Sequence, residues 1–231
     1  AEKVAILINE SRRLGIDVLT PDVNASGLDF TIEAQPGRAE APMAIRFGLA
    51  AIKNVGDGPI DAILKGRGDR PFTSVDDFCQ RVDLRQVNKR VLECLIKAGA
   101  LDCLAGRGQM LAALDHMMSV SQEAHAAKDA GQLSLFGGLG AAESPSFLTL
   151  PEVPPIARKD QLAWEKELLG LYISQSPLHL LPRGLDHVTR IGQIDETLKG
   201  RRIQVMGMVA NVHTIITKKG DPMAFVTVED L

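Results

Sequence analysis

Aromatic residues are scarce in this 231-residue chain: one Trp, one Tyr and seven Phe make up 4% of it. Stacking platforms of the kind used by single-strand binders must therefore be sparse. Cysteine is scarce too. Cys79, Cys94 and Cys103 form no CxxC pair and have no His cluster beside them, which excludes a disulfide framework and a zinc finger and reads as reduced, structural thiols of a cytosolic protein. No apolar run approaches the roughly 18 residues of a membrane span. The short run from Val4 to Ile8 is followed at once by charges, with no cleavage site, so no secretory leader is recognisable. The missing initiator Met reads as an excised piece of a longer protein. Walker loop, GxSxG and HExxH patterns are absent, and His116, His125, His179, His187 and His213 show no metal-ligand spacing. Arg67-Gly68-Asp69 spells an adhesion tripeptide, a chance match in a chain with no export signal. Neither charge sign dominates: 26 basic against 29 acidic residues leave −3, which argues against a whole-chain electrostatic grip on nucleic acid. From Arg46 to Arg107 there are 11 basic against 8 acidic residues, a weak local bias the other way.

What is present is enough apolar residue, 45%, to bury a core. The pattern predicts a helix from Val4 to Leu14 stopped by Gly15. Loops and a short β hairpin around Phe30 to Ile32 should follow, finishing near Ile45 to Leu49. Ala50 to Asp102 reads as a compact all-α unit. Helical periodicity runs on from Gly108 to Lys128, with Met110, Leu111, Leu114, Met117 and Met118 on one face. Asp129 to Pro155 is rich in Gly, Ala, Ser and Pro, as linkers are, and a further helix is expected from Arg158 to Leu169. From Ile203 onward the period becomes β-like, predicting about three strands around the turn Lys218-Lys219-Gly220-Asp221. The fold class is mainly α with small β elements.

Four constellations carry the functional reading. In Lys53-Asn54-Val55-Gly56-Asp57-Gly58-Pro59, two glycines two apart precede a helix-compatible proline, the layout of a helix-hairpin-helix whose backbone amides can meet an anion. A Cβ there would hold a phosphate away from the amides, and Lys53 adds a nearby charge. A single such motif is equally an ordinary helix-helix turn. A second stretch, Asn88 to Asp102, repeats helix, glycine turn and helix if Gly99 is aligned with Gly58, and adds Lys97, Ala98 and Gly99 as candidate contacts. Two hairpins can touch both strands of a duplex without reading sequence; the second, poorer in glycine, also suits a packing role. Thr73 or Ser74 should cap the helix that follows. Third, Gln132-Leu133-Ser134-Leu135-Phe136 places exposed apolar residues in a linker, which suits a peptide docking into a partner's apolar pocket; packing on the chain's own helices is the alternative. Fourth, Trp164 and Tyr172 anchor a helix and the segment after it in a core. Lys218 and Lys219 read either as a nucleic-acid contact or as a solvated turn.

The order of these phrases resembles the C-terminal half of the C-family bacterial replicases, the DNA polymerase III alpha subunits. It is carried by Leu14-Gly15-Ile16 through Pro21-Asp22-Val23-Asn24, Phe47 to Gly56, Leu95 to Asp102, Gln132 to Phe136, and Glu165 to Ser174 followed by Pro177-Leu178. The resemblance implies that residues 1–49 end a fingers region and 50–128 form a tandem helix-hairpin-helix domain on duplex DNA. It implies a linker at 129–157 whose Gln132 to Phe136 dock a β sliding clamp, a helical connector at 158–200, and the first part of an OB fold, truncated, at 201–231. Mg2+ and the palm aspartates that bind it belong, on this resemblance, to the rest of the polymerase, so the segment itself should hold no cofactor and no catalytic residue.

The expected function is that of a processivity module of a cytoplasmic DNA-directed DNA polymerase, with duplex DNA, the clamp and other replicase subunits as partners and no membrane. A standalone repair factor with paired hairpins and a helical protein-interaction scaffold are the rivals. A DNA binder loses affinity steeply with salt, whereas a scaffold has no such affinity to lose.

Overall fold

The structure, a computed structural model, describes residues 2–34, 43–129, 149–174, 189, 191, 194–218 and 220–229. They divide into two compact units, Ala1–Ser174 and Gln175–Leu231.

The first unit opens with α1 (Glu2–Arg13). It stops as expected at Gly15, whose φ of +77° lets the Ile16 N–H reach back to Ser11 O at 2.9 Å. β1 (Asp17–Leu19), β2 (Thr31–Ala34) and β3 (Met43–Arg46) form a sheet in the order β1-β3-β2. The antiparallel β2–β3 pair is the expected hairpin. β1 was expected as loop and instead runs parallel to β3, Val18 opposite Ile45; three residues are too few to display a period. Arg46 pins all three strands, with Nε and Nη2 on the Glu33 carboxylate and Nη1 donating to Thr20 O at 2.8 Å.

The segment between β1 and β2 is stitched to the helices. Val23 N–H donates to Ala100 O at 2.8 Å, and Arg67 Nη1 donates to the carbonyls of Val23 and Ser26 at 3.0 and 2.7 Å. Ser26, fully buried, donates from Oγ to Phe47 O at 2.7 Å. One core runs unbroken from Val18, Val23 and Phe47 through Leu49 and Ile52 into Ile60, Phe78 and Leu95, across position 49/50.

The helical part comprises α2 (Asp57–Arg67), α3 (Val75–Arg81), α4 (Leu84–Val87), α5 (Lys89–Lys97), α6 (Arg107–Ala112) and α7 (Leu114–Asp129). Ser74 caps α3 by accepting from Asp77 N–H at 3.1 Å, as its side-chain type dictates. Asp77 in turn accepts from the N–H of Thr73, the residue before the cap, at 3.0 Å. Arg81 holds the α2–α3 loop by donating to the carbonyls of Gly66, Arg67, Arg70 and Pro71. The single helix expected from Gly108 to Lys128 is in fact two. Ala113 leaves helical geometry with ψ +5°, while Met110, Leu114 and Met117 all remain buried. Ser121, also buried, bridges Val82 O and Leu84 N–H. α8 (Arg158–Leu169) matches the predicted span, and Gly170 caps it in the left-handed conformation at φ +82°.

In the second unit β4 (Met208–Ile216) and β5 (Pro222–Glu229) pair antiparallel, Ile216 opposite Pro222, with a bulge between Val209 and Asn211. Val205 makes an isolated bridge with Thr189 and does not extend a third strand. Val212, Ile216, Phe225 and Val226 are exposed on this ribbon. Among the described residues it is a two-stranded sheet.

Candidate nucleic-acid interface

The chain enters α2 through a 3-10 turn at Leu49–Ala51, shorter than the full helix expected before the first glycine pair. Lys53 and Asn54 are exposed, Val55 is buried, and Gly56, Asp57 and Gly58 are exposed at the start of α2. The left-handed residue is Asn54, φ +65°. Gly56 takes φ −94° as the N-cap, and Gly58 also lies outside the left-handed region. Positive φ therefore does not explain these glycines. Packing does not either, because a Cβ at Gly56 or Gly58 would meet nothing within 4 Å.

A helix start has unsatisfied N–H groups that side chains usually cover. Ser74, Asp83 and Asn88 do this for α3, α4 and α5. At α2 the cap is a glycine with no side chain, and the N–H groups of Gly56, Asp57 and Gly58 donate to no protein acceptor among the described residues. Three amides, an exposed helix start and an unobstructed approach make a cradle suited to an anion. Asp57 brings one negative charge to the same turn and Lys53 one positive charge.

The second glycine turn is built differently. Gly99 ends a helix, where Gly58 lies in the first turn of one. Its φ is +85°, its N–H donates to Ile96 O and that of Ala100 donates to Leu95 O, both at 3.0 Å, the two bonds of a Schellman stop. The alignment of Gly58 with Gly99 thus fails, and no helix follows until Arg107. The Arg107 guanidinium lies against Gly99, donates from Nη1 to Lys97 O at 3.0 Å and forks onto Asp102 from Nε and Nη2 at 2.9 and 2.7 Å. Ala98 is fully buried. Lys97 is paired with Glu93 at 2.7 Å and lies over the Trp164 ring. Of the three residues expected there, Ala98 and Gly99 are enclosed by the chain's own side chains, which is the packing role the scarcity of glycine suggested.

Lys218 is exposed at the β4–β5 turn, where Thr217 N–H donates to Asp221 O at 2.9 Å. Lys219 and the pentapeptide Gln132 to Phe136 lie outside the described residues. Among the described residues no group of three or more His, Cys, Asp or Glu side chains is placed to hold a metal ion. No helix there is long and apolar enough to cross a membrane.

Two polar anchors were missed in the sequence. Asn24 pairs with the Phe72 backbone, and Glu165 is fully buried at the end of α8. Asx chemistry beside a proline signals a turn at Asn24, but nothing local signals its partner 48 residues away.

A family model described as a helix-hairpin-helix motif matches residues 15–110. Proteins named DNA polymerase III subunit alpha match essentially the whole chain. The one from Pseudomonas aeruginosa is 36% identical, covering 99% of this chain and 20% of its own length. Those from Saccharopolyspora erythraea and Thermus aquaticus are 38% and 37% identical over all of this chain, and 20% and 18% of theirs. The chain spans about a fifth of the length of the curated relatives it matches.

Proposed function

The chain belongs with the bacterial DNA polymerase III alpha subunits, and on that premise we propose that it is the part of a replicative polymerase that holds duplex DNA without reading its sequence and docks on a sliding clamp. The observation that carries the DNA half is the start of α2. The amides of Gly56, Asp57 and Gly58 are open to solvent, and neither backbone conformation nor packing calls for glycine at positions 56 and 58. Close approach of a phosphate does call for it, because a side chain would stand between the phosphate oxygens and the N–H groups. Lys53 supplies a charge beside the cradle. Such contacts address the backbone common to all duplexes, so they position the polymerase without selecting a site. Lys97, part-exposed on the same unit, Lys218 at the β4–β5 turn, and Lys219 next to it in sequence are further candidate contacts, held by charge alone.

The clamp half rests on sequence. In Gln132-Leu133-Ser134-Leu135-Phe136 the glutamine amide bonds a partner's backbone and Leu135 and Phe136 fill an apolar pocket. Clamp and DNA contacts reinforce one another through effective concentration, so a peptide of modest affinity keeps the polymerase at its primer end. The β4–β5 ribbon is the start of an OB barrel meeting single-stranded template. Nucleotidyl transfer in the whole polymerase uses Mg2+ held by residues elsewhere, with other replicase subunits as further partners in the cytoplasm.

The test is binding of this chain to a bacterial β clamp, and separately to a random-sequence duplex at several salt concentrations. Alanine at Gln132, Leu135 and Phe136 together abolishes the first and leaves the second. Clamp binding that survives the triple variant contradicts the docking assignment, and a chain without duplex affinity contradicts the DNA assignment.

A further inference from the structure

α8 touches both glycine turns. The Leu168 carbonyl accepts from Lys53 N–H at 2.9 Å, and the Trp164 ring centroid lies 5.4 Å from Lys97 Nζ. Leu168 and Leu169 also line one groove with Ile52, Lys53 and Val55. Val55 anchors the turn in the core, and Asn54 Nδ2 lies 3.9 Å from Cys94 Sγ. Among the described residues, the Lys53–Leu168 bond is the one backbone hydrogen bond tying residues 53–56 to a separate element; Val55 N–H reaches only Ile52 O, at 3.3 Å.

The end of α8 is held by Glu165. This side chain is fully buried, and a buried carboxyl group needs hydrogen-bond partners to offset its lost hydration. Among the described residues, all its hydrogen-bond partners come from the five residues after the helix. Oε2 accepts from the N–H groups of Ile173 and Ser174 at 3.2 and 3.1 Å, and Oε1 accepts from Ser174 Oγ at 2.7 Å. Arg158, at the other end of α8, donates from Nη2 to the same Ser174 Oγ at 2.6 Å. The chain is folded back along its own helix, turning Leu171 and Ile173 into the core.

We propose that Glu165 is a positioning residue for the phosphate cradle: by locking residues 170–174 against α8 it sets the Leu168 carbonyl under Lys53 N–H, and so the height and direction of the Gly56–Gly58 amides. The inference rests on the DNA-binding reading and adds that a residue far along the chain, making no contact with DNA, sets its affinity. A cradle of three amides works only if they converge, and a displacement of even an ångström removes a charge-assisted bond.

The test uses the full 231-residue chain, a random-sequence duplex titrated at several salt concentrations, and hydrogen exchange at the Lys53 amide. Glu165→Ala weakens duplex binding about five- to tenfold, flattens the salt slope by about one phosphate and speeds Lys53 exchange with helix content unchanged. Glu165→Gln, which keeps an acceptor oxygen, recovers most of the affinity. A folded Glu165→Ala with the parent's affinity, slope and Lys53 exchange overturns the proposal. If Glu165→Ala does not fold, Ser174→Ala decides: it removes one of the three bonds, and faster Lys53 exchange with weaker binding supports the lock, whereas no change in either overturns it. Gly58→Val runs alongside. Loss of binding there with none in the folded Glu165 variant removes the lock alone, and an unaltered chain that binds no duplex removes the DNA reading instead.

Discussion

Asn24 and Phe72 exchange two hydrogen bonds across 48 residues of chain: Asn24 Nδ2 donates to Phe72 O at 2.9 Å, and Phe72 N–H donates to Asn24 Oδ1 at 2.7 Å. A side-chain amide here does what a neighbouring strand would do, satisfying both backbone groups of one residue. Phe72 is itself buried, edge-on to Phe78 at 5.0 Å. The pair joins the segment between β1 and β2 to the α2–α3 loop, within the core that Val18, Val23 and Phe47 share with the hairpin helices.

Replacing Asn24 therefore acts on stability. Asn24→Leu leaves the Phe72 N–H and C=O unpaired in a part-buried site and costs about 2 to 4 kcal/mol, read from denaturant midpoints at constant m-value. Asn24→Asp retains the acceptor and loses the donor, and falls between the two.

The glycines separate into two kinds by what they do. Gly58→Ala enters open space inside a helix, so stability stays level or rises by up to about 1 kcal/mol. Duplex affinity falls in the same variant. Gly99→Ala puts a Cβ at φ +85° into the Arg107 guanidinium and costs about 2 to 4 kcal/mol. Thermal unfolding and duplex titration of both variants check the contrast; a Gly58→Ala that loses stability, or a Gly99→Ala that loses none, contradicts it.

Cys103 is exposed. Desolvation first, and the Asp22 charge second, push its thiol up to about 12. The thiolate is the reacting species, so at pH 8 a disulfide reagent modifies Cys103 at least about tenfold more slowly than a cysteine in an unstructured peptide. Asp22→Asn speeds the reaction. Cys79, buried, is pushed up to about 12 as well, by desolvation and then Asp76, and reacts only on unfolding.

Acid acts on the α4 cap. Hydrogen bonds from the Arg85 side chain hold the Asp83 carboxyl well below the usual carboxylate range. A group depressed in the folded state stabilises above its unfolded value, about 4, and loses that contribution as pH falls toward the folded value. Asp83→Asn is therefore less stable than the parent at neutral pH, and the gap narrows as pH is lowered below about 4. A gap independent of pH contradicts the assignment.

How much of this was legible in the sequence follows from the range of each interaction. Gly15 as a helix stop, a cap at Thr73 or Ser74 and the span of α8 are local and could be read directly, and the structure chooses Ser74. The α6–α7 break could not, because Met110, Leu114 and Met117 keep helical spacing through it. Gly58 and Gly99 look alike in sequence and differ in which side of a helix they occupy, a distinction set by Arg107 reaching back to Lys97 O and Asp102. Pairing of Asn24 with Phe72 and burial of Glu165 depend on the assembled fold, and no local pattern marks them.

The most direct test of the cradle is the salt dependence of duplex binding by the unaltered chain and by Gly58→Val. The account predicts that the folded variant binds every duplex sequence about tenfold more weakly, with a shallower dependence on salt because a phosphate contact has gone. Equal affinity and equal slope in a folded Gly58→Val would mean that the open amides of α2 do not hold DNA.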